Sequence, residues 1–93
     1  MALTPYLAAQ AQTDLLEAVE WYQEQARLGS AFHDEFAALL KVLCETPTLF
    51  AEYGDIRRAL LRRFPYAVYY EFTSSRLVIH AILHMKRKPT RRY

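Results

Sequence analysis

The residues of this chain best suited to chemistry are three histidines, one cysteine and a large set of arginines. His84 is the strongest proton carrier, because an unperturbed imidazole titrates at about 6.5. Arg63 and Arg87 could stabilise charge on a phosphate. Tyr93 could donate a proton or stack on a base. Together these are parts of a metal-free RNA cleavage. Such a reaction needs a base to take the 2′-OH proton, an acid to protonate the leaving 5′-oxygen, and cations around the crowded phosphate. The parts are sparse. A strand-end histidine making a structural hydrogen bond is the plainer reading of His84.

The other candidates are weaker. His80 and His84 are four apart, and on a strand they would lie about 13 Å from each other. They cannot share a metal. His33 and Cys44 add no ligand spacing, so neither a metal nor a cofactor is expected. Cys44 falls near the end of an apolar segment with no activating base in reach of the sequence argument, and reads as an inert buried thiol.

The cations are unevenly placed. Residues 1–47 hold two basic and seven acidic groups, a net −5, and residues 48–93 hold ten basic and three acidic, a net +7. A polyanion or an acidic protein would suit the second half. Arg57-Arg58 and Arg62-Arg63 fall in a stretch that reads as a strand. Neighbours on a strand face opposite sides, so each pair sends one member to each face. The inward member either snorkels past the helices or pairs with their acidic side, for instance Glu20 or Glu24. The tail from Lys86 to Arg92 carries five cations in seven residues. That is enough for salt-dependent affinity for a polyanion, though a solvated terminus is the ordinary alternative.

The elements that must position these groups follow from periodicity. In residues 9–26, Ala11, Leu15, Ala18, Val19, Tyr22 and Ala26 step by three or four, with Asp14, Glu17, Glu20 and Glu24 on the other side. Trp21 lies off that stripe, either against the chain after residue 47 or in a docking surface. Gly29 suits a helix end and Ser30 the N-cap of the next helix. Phe32, Phe36, Leu39, Leu40 and Leu43 form the second stripe, which Thr46-Pro47 stops. Residues 9–46 are therefore a helical hairpin. From residue 56 the period becomes two. Strands are predicted from Ile56 to Phe64, Ala67 to Thr73 and Leu77 to Leu83, joined by short turns into an antiparallel meander. Leu77, Ile79, Ala81 and Leu83 should share one face, with Val78, His80, Ile82 and His84 on the other. Leu3 to Leu7 could add an edge strand, since it contains Pro5. The expected fold is α+β: a helical hairpin on one face of a three- to four-stranded antiparallel sheet, with the other face open to a partner.

Length makes residues 1–93 one domain. No apolar run approaches the ~20 residues of a membrane span. The first basic residue is Arg27, which does not fit a secretory signal. With a single cysteine, a cytoplasmic protein is expected.

The ordered segments resemble the ParE/RelE superfamily of toxins from bacterial type II toxin–antitoxin systems. Ala11 to Leu15 leading into Glu17-Ala18-Val19-Glu20-Trp21-Tyr22 is similar to its first helix. Leu28-Gly29 with Phe32 and Glu35 resembles the start of its second. Arg57 to Tyr66 with Val68-Tyr69-Tyr70 resembles the central strand and turn, and His84-Met85-Lys86-Arg87-Lys88-Pro89 the closing segment. The Phe64-Pro65-Tyr66 turn and the ending are closer to the ParE branch. The chain ends Arg91-Arg92-Tyr93 where many relatives carry a Trp after the proline. The resemblance implies a β-α-α-β-β-β fold and a growth-arresting toxin bound by a cognate antitoxin in a hetero-oligomer. In the ParE branch the target is DNA gyrase, bound rather than chemically altered by the toxin. In the RelE branch it is ribosome-bound mRNA, cut without a metal, which would draw on His84, Arg63 and Arg87. A non-toxic interaction or nucleic-acid-binding module is the third reading. Target contacts are expected at Arg58, Arg62, Arg63, Lys86, Arg87, Lys88, Arg91, Arg92 and Tyr93. Antitoxin contacts are expected at Trp21, Arg57, Tyr69, His80 and Ile82.

Overall fold

The computed structural model describes residues 2–86. The chain runs β1 (Thr4–Leu7), α1 (Ala9–Ala26), α2 (Gly29–Glu45), β2 (Glu52–Tyr53), β3 (Ile56–Leu60), β4 (Tyr66–Phe72) and β5 (Arg76–His84). The strands form one sheet in the order β1-β5-β4-β3-β2. The two helices pack together, and α1 lies against β5. This is the expected α+β arrangement with two corrections. The sheet has five strands, and β1 joins β5 in parallel. Only the β2 to β5 meander is antiparallel. A two-residue β2, turned into β3 at Gly54 (φ 66°), is too short to leave a periodic signal.

The outer edge of β1 is closed by its own sequence. Leu3 donates its N–H to the Cys44 carbonyl at 2.9 Å. Pro5 has no N–H to offer. The Leu7 carbonyl accepts from Gln12 Nε2 at 2.9 Å. Such an edge resists pairing with a foreign strand.

The helical hairpin turns differently from its sequence expectation. Arg27, not Gly29, takes the left-handed conformation (φ 57°). Its N–H bonds the Gln23 carbonyl, the 5→1 bond of a left-handed helix close, and the Leu28 N–H reaches back to the Tyr22 carbonyl. Gly29 is the buried first residue of α2. A Cβ there would lie 2.9 Å from both the Val19 carbonyl oxygen and Gln23 Oε1. The glycine is set by close helix approach. Ser30 makes no capping hydrogen bond, since Leu28 occupies the N-cap position.

The core lies between hairpin and sheet. Phe32, Leu43, Val68, Tyr70, Leu77 and Ile79 are its largest fully buried side chains. An aromatic cluster of Tyr22, Phe32, Phe64 and Tyr66 joins both helices to the turn after β3, with ring centroids 4.7–6.0 Å apart. The Tyr70 hydroxyl donates to the Pro47 carbonyl at 2.7 Å, tying β4 to the chain that leaves α2.

One irregularity changes which side chains face the helices. Tyr69 pairs with Ala81 but Tyr70 pairs with Ile79, so His80 is an extra residue on β5. This β-bulge reverses the alternation beyond it. Leu77, Ile79 and Ile82 all join the core cluster, whereas Ala81 does not. Asp14 secures the arrangement. It is 5% exposed, its Oδ2 accepts the Ile82 N–H at 2.9 Å, and its Oδ1 accepts from Gln10 at 3.2 Å. Asp14 thus belongs to the buried face of α1, not to its polar side.

Candidate functional site

Part of the cationic set gathers at one end of the sheet, around the turn from β3 to β4. β3 ends at Leu60, four residues before the expected Phe64. Leu61 and Phe64 are both buried. Their spacing of three cannot fit a strand, so the chain turns between them and pushes Arg62 and Arg63 into solvent. The Leu61 N–H bonds the Tyr66 carbonyl across this turn, and Met85 donates to the Pro65 carbonyl at 2.7 Å. That last bond brings the end of β5 alongside, with Tyr66 paired to His84. Arg62, Arg63, His84 and Lys86 therefore share one end of the sheet.

The arginine turn is held from α2. Glu35 Oε2 accepts the Arg62 N–H, and the Arg63 N–H reaches both carboxylate oxygens at 3.2 and 3.3 Å. The expected pairing of an arginine with Glu20 or Glu24 does not occur among the described residues; Glu35 takes the contact instead, through backbone rather than guanidinium groups. Arg63 lies over the Phe64 ring, 5.6 Å from its centroid. Arg62 and Arg63 leave the strand and so do not divide between its faces.

Arg57 and Arg58 do divide. Arg57 is half-buried on the helix side, with Nη1 on the Phe50 carbonyl at 2.7 Å, Nη2 3.4 Å from Glu52, and its guanidinium over Phe72. Arg58 lies over the Tyr53 ring at 4.8 Å, and Tyr53 packs edge-on against Tyr69 at 5.6 Å. Arg58 is thus part of a ring-and-cation row on the open face, apart from the cationic end.

His84 is half-buried. Its ring meets Tyr66 edge-on at 5.1 Å. Its Nδ1 accepts the Lys86 N–H at 3.0 Å, which assigns the proton of the neutral ring to Nε2. His80 lies on the open face, where Nε2 is 2.6 Å from Glu71 Oε1. Ile82 is a correction: the bulge carries it into the core at 2% exposure, so it cannot contribute to an antitoxin surface on the open face. Tyr69 and His80 remain there. Trp21 is 42% exposed and packs edge-on to Tyr22 at 4.9 Å. Arg87, Lys88, Arg91, Arg92 and Tyr93 lie outside the described residues, so the set His84, Arg63 and Arg87 is seen only in part.

Two residues that organise this region have no role in it that the sequence alone assigns. Glu35 belongs to α2 and meets a turn 27 residues later, a contact no local pattern reveals. Asp14 could have been found, because it falls three after Ala11 and four before Ala18, inside the apolar stripe. Cys44 is buried. Burial pushes its thiol up, with the Glu45 charge adding to the effect. Among the described residues no three His, Cys, Asp or Glu side chains converge on a metal-sized site, and no helix is long and apolar enough to cross a membrane.

Comparison with known proteins fits this architecture. A search of solved structures finds a chromosomal ParDE toxin–antitoxin system from P. aeruginosa at TM-score 0.75 and 15% identity, covering 91% of this chain and 98% of that one. At that identity the likeness speaks for the fold. A search of curated proteins gives no match. The sequence from residue 6 to residue 89, from the β1 edge through the arginine turn and past the end of β5, matches the family described as the ParE toxin of the type II toxin–antitoxin system parDE. The chain belongs to the ParE toxin family of type II toxin–antitoxin systems.

Proposed function

We propose that this chain stops bacterial growth by binding DNA gyrase in the cytoplasm, without catalysing a reaction itself, and that a cognate antitoxin neutralises it in a heterocomplex. The observation that carries this reading is the arginine turn. Arg62 and Arg63 are both exposed, and among the described residues neither has an ion-pair partner. Lys86 stands at the same end, where the basic segment with Arg87, Lys88, Arg91, Arg92 and Tyr93 begins. A guanidinium that no carboxylate contacts directly is available to an acidic surface, and contributes to the rate and orientation of docking. Arg58 would make a secondary contact.

The antitoxin is assigned to the remaining surface. The similar structure from P. aeruginosa is a ParDE toxin–antitoxin system, which supports an antitoxin partner here. An acidic extended or helical segment crossing Tyr69 and His80 on the open face would complement the basic half of the chain, and Trp21 and Arg57, on the helix side, would be separate contacts of the same antitoxin.

A second reading is favoured by one observation. His84 ends β5 beside the turn that carries Arg63, the neighbourhood a metal-free mRNA endoribonuclease would need. The experiment separates the two. The chain is induced alone and with its antitoxin, and DNA is assayed for protein-linked, gyrase-type breaks. Breaks that appear with the toxin alone, and persist in His84→Gln, support gyrase binding. Growth arrest with intact DNA, lost in His84→Gln, would replace it with RNA cleavage.

A further inference from the structure

Glu35 stands beside two arginines, yet its carboxylate pairs with neither guanidinium. Both oxygens are directed at backbone, taking the N–H groups of Arg62 and Arg63 in succession. Two consecutive amides converging on one anion form the kind of concave donor pair that holds phosphate or carboxylate ligands in other proteins. Here the anion comes from the chain itself. The consequence falls on the side chains. A carboxylate next to arginine ordinarily forms a charge-assisted, two-point contact with it. With the carboxylate committed to the amides, both guanidinium groups stay outside that contact. They line an open cleft whose opposite wall is Ser30, Ala31, Asp34 and Ala38 of α2.

The turn has few other restraints. Leu61 and Tyr66 close its base by one hydrogen bond, and the Tyr66 N–H returns to the Phe64 carbonyl at 2.8 Å. Phe64 is fixed in the aromatic cluster. Between these points the peptide units of Arg62 and Arg63 project from the sheet, and Glu35 is the group that orients them. We propose that Glu35 is a positioning residue. It sets the backbone of the arginine turn so that Arg62 and Arg63 are presented together to the target. The identity of the target rests on the function proposed above; the mechanics of the turn do not.

The test uses the full chain in two measurements. Amide hydrogen exchange is followed by NMR in the parent, Glu35→Ala and Glu35→Gln. The expected result is that the Arg62 and Arg63 amides exchange about tenfold faster in Glu35→Ala, the effect of losing a charge-assisted hydrogen bond in an exposed turn. They should stay near the parent rate in Glu35→Gln, whose side-chain oxygen still accepts. The Ile79 amide, in the core strand, serves as the reference and should not change. The second measurement is the dose that gives half-maximal gyrase-linked DNA breakage. It should rise about tenfold in Glu35→Ala, recover largely in Glu35→Gln, and rise no further when Glu35→Ala is added to Arg62→Ala/Arg63→Ala. Unchanged exchange at Arg62 and Arg63 would overturn the proposal. So would a dose penalty that adds in full to the arginine-free background, because Glu35 would then be acting elsewhere. A parent chain inert on gyrase would overturn the target and leave the exchange rates to decide the role of Glu35.

Discussion

Replacing Asp14 by alanine should be the most informative single perturbation of this fold. Its carboxylate is buried, and it accepts the Ile82 N–H at 2.9 Å where the bulge displaces β5. Alanine would leave that amide buried without an acceptor. An unsatisfied buried donor costs about 1–3 kcal/mol, with a lost bond to a charged group toward the upper end. Alanine's better helix propensity returns a few tenths, and removing a desolvated charge returns some more. A net loss of about 2 kcal/mol remains, large against the ~5–14 kcal/mol expected for a chain of this length. At about 4–8 °C per kcal/mol, Tm should fall by about 8–16 °C. Asp14→Asn keeps an acceptor oxygen and should lose about half as much. Glu17→Ala, on the exposed side of α1, should stay within about 0.5 kcal/mol of the parent. Urea unfolding followed by circular dichroism reads all three, with the midpoint shifting at constant slope. If Asp14→Ala were no more costly than Glu17→Ala, the carboxylate would not be what fixes the bulge.

Two further outcomes follow from buried groups. Gly29→Ala should destabilise by about 1–3 kcal/mol despite adding a better helix former, because its Cβ meets the Val19 carbonyl oxygen, which cannot rotate away; an unchanged or raised urea midpoint would refute the close approach. Stability should also fall at alkaline pH. Burial pushes the Cys44 thiol up from its ordinary 9.0, with Glu45 adding to the effect. It also pushes the Tyr70 hydroxyl up from 10.0, against the lowering influence of Arg57. In both cases the folded chain keeps a proton that the unfolded chain has lost. Their contribution is therefore complete below about pH 9 and declines as pH rises through the folded-state values. The urea midpoint should drop over that range, and Cys44→Ala should remove the earliest part of the fall; a midpoint independent of alkaline pH would contradict the burial effect.

The helices were legible because nothing interrupts their period: residues 9–26 repeat every three or four positions, and α1 spans them. The sheet was legible only where the same held. Alternation assumes that every residue advances the register by one, and the extra His80 breaks that assumption inside β5. Ile82 was lost from the predicted core for that reason alone. The end of β3 did carry a signal, since Leu61 and Phe64 are apolar at a spacing of three, which a strand cannot bury on one face. The pairing of β1 beside β5 carried none. It is settled by β5 running antiparallel to β4 and by the docking of Leu3 on the end of α2, contacts that no local sequence pattern encodes.

The same distinction separates the two functional readings at the cationic end. A general base needs a nitrogen lone pair facing the proton it removes. In His84 the Nδ1 lone pair receives the Lys86 N–H, so the neutral ring carries its proton on Nε2. In that state Nε2 can donate but cannot accept, and Nδ1 becomes available as a base only if the Lys86 amide is released. Arg63, the partner such chemistry would call on, has its backbone amide fixed by Glu35 and its guanidinium over Phe64. A base role for His84 at Nδ1 would thus require this end of the sheet to give up its Lys86–His84 contact, whereas an acid role at Nε2 would not. Docking requires only that Arg62, Arg63 and Lys86 face outward. Arg62 and Arg63 do so on a turn whose backbone Glu35 holds in place, so docking asks for no rearrangement of this end while base catalysis at Nδ1 asks for one.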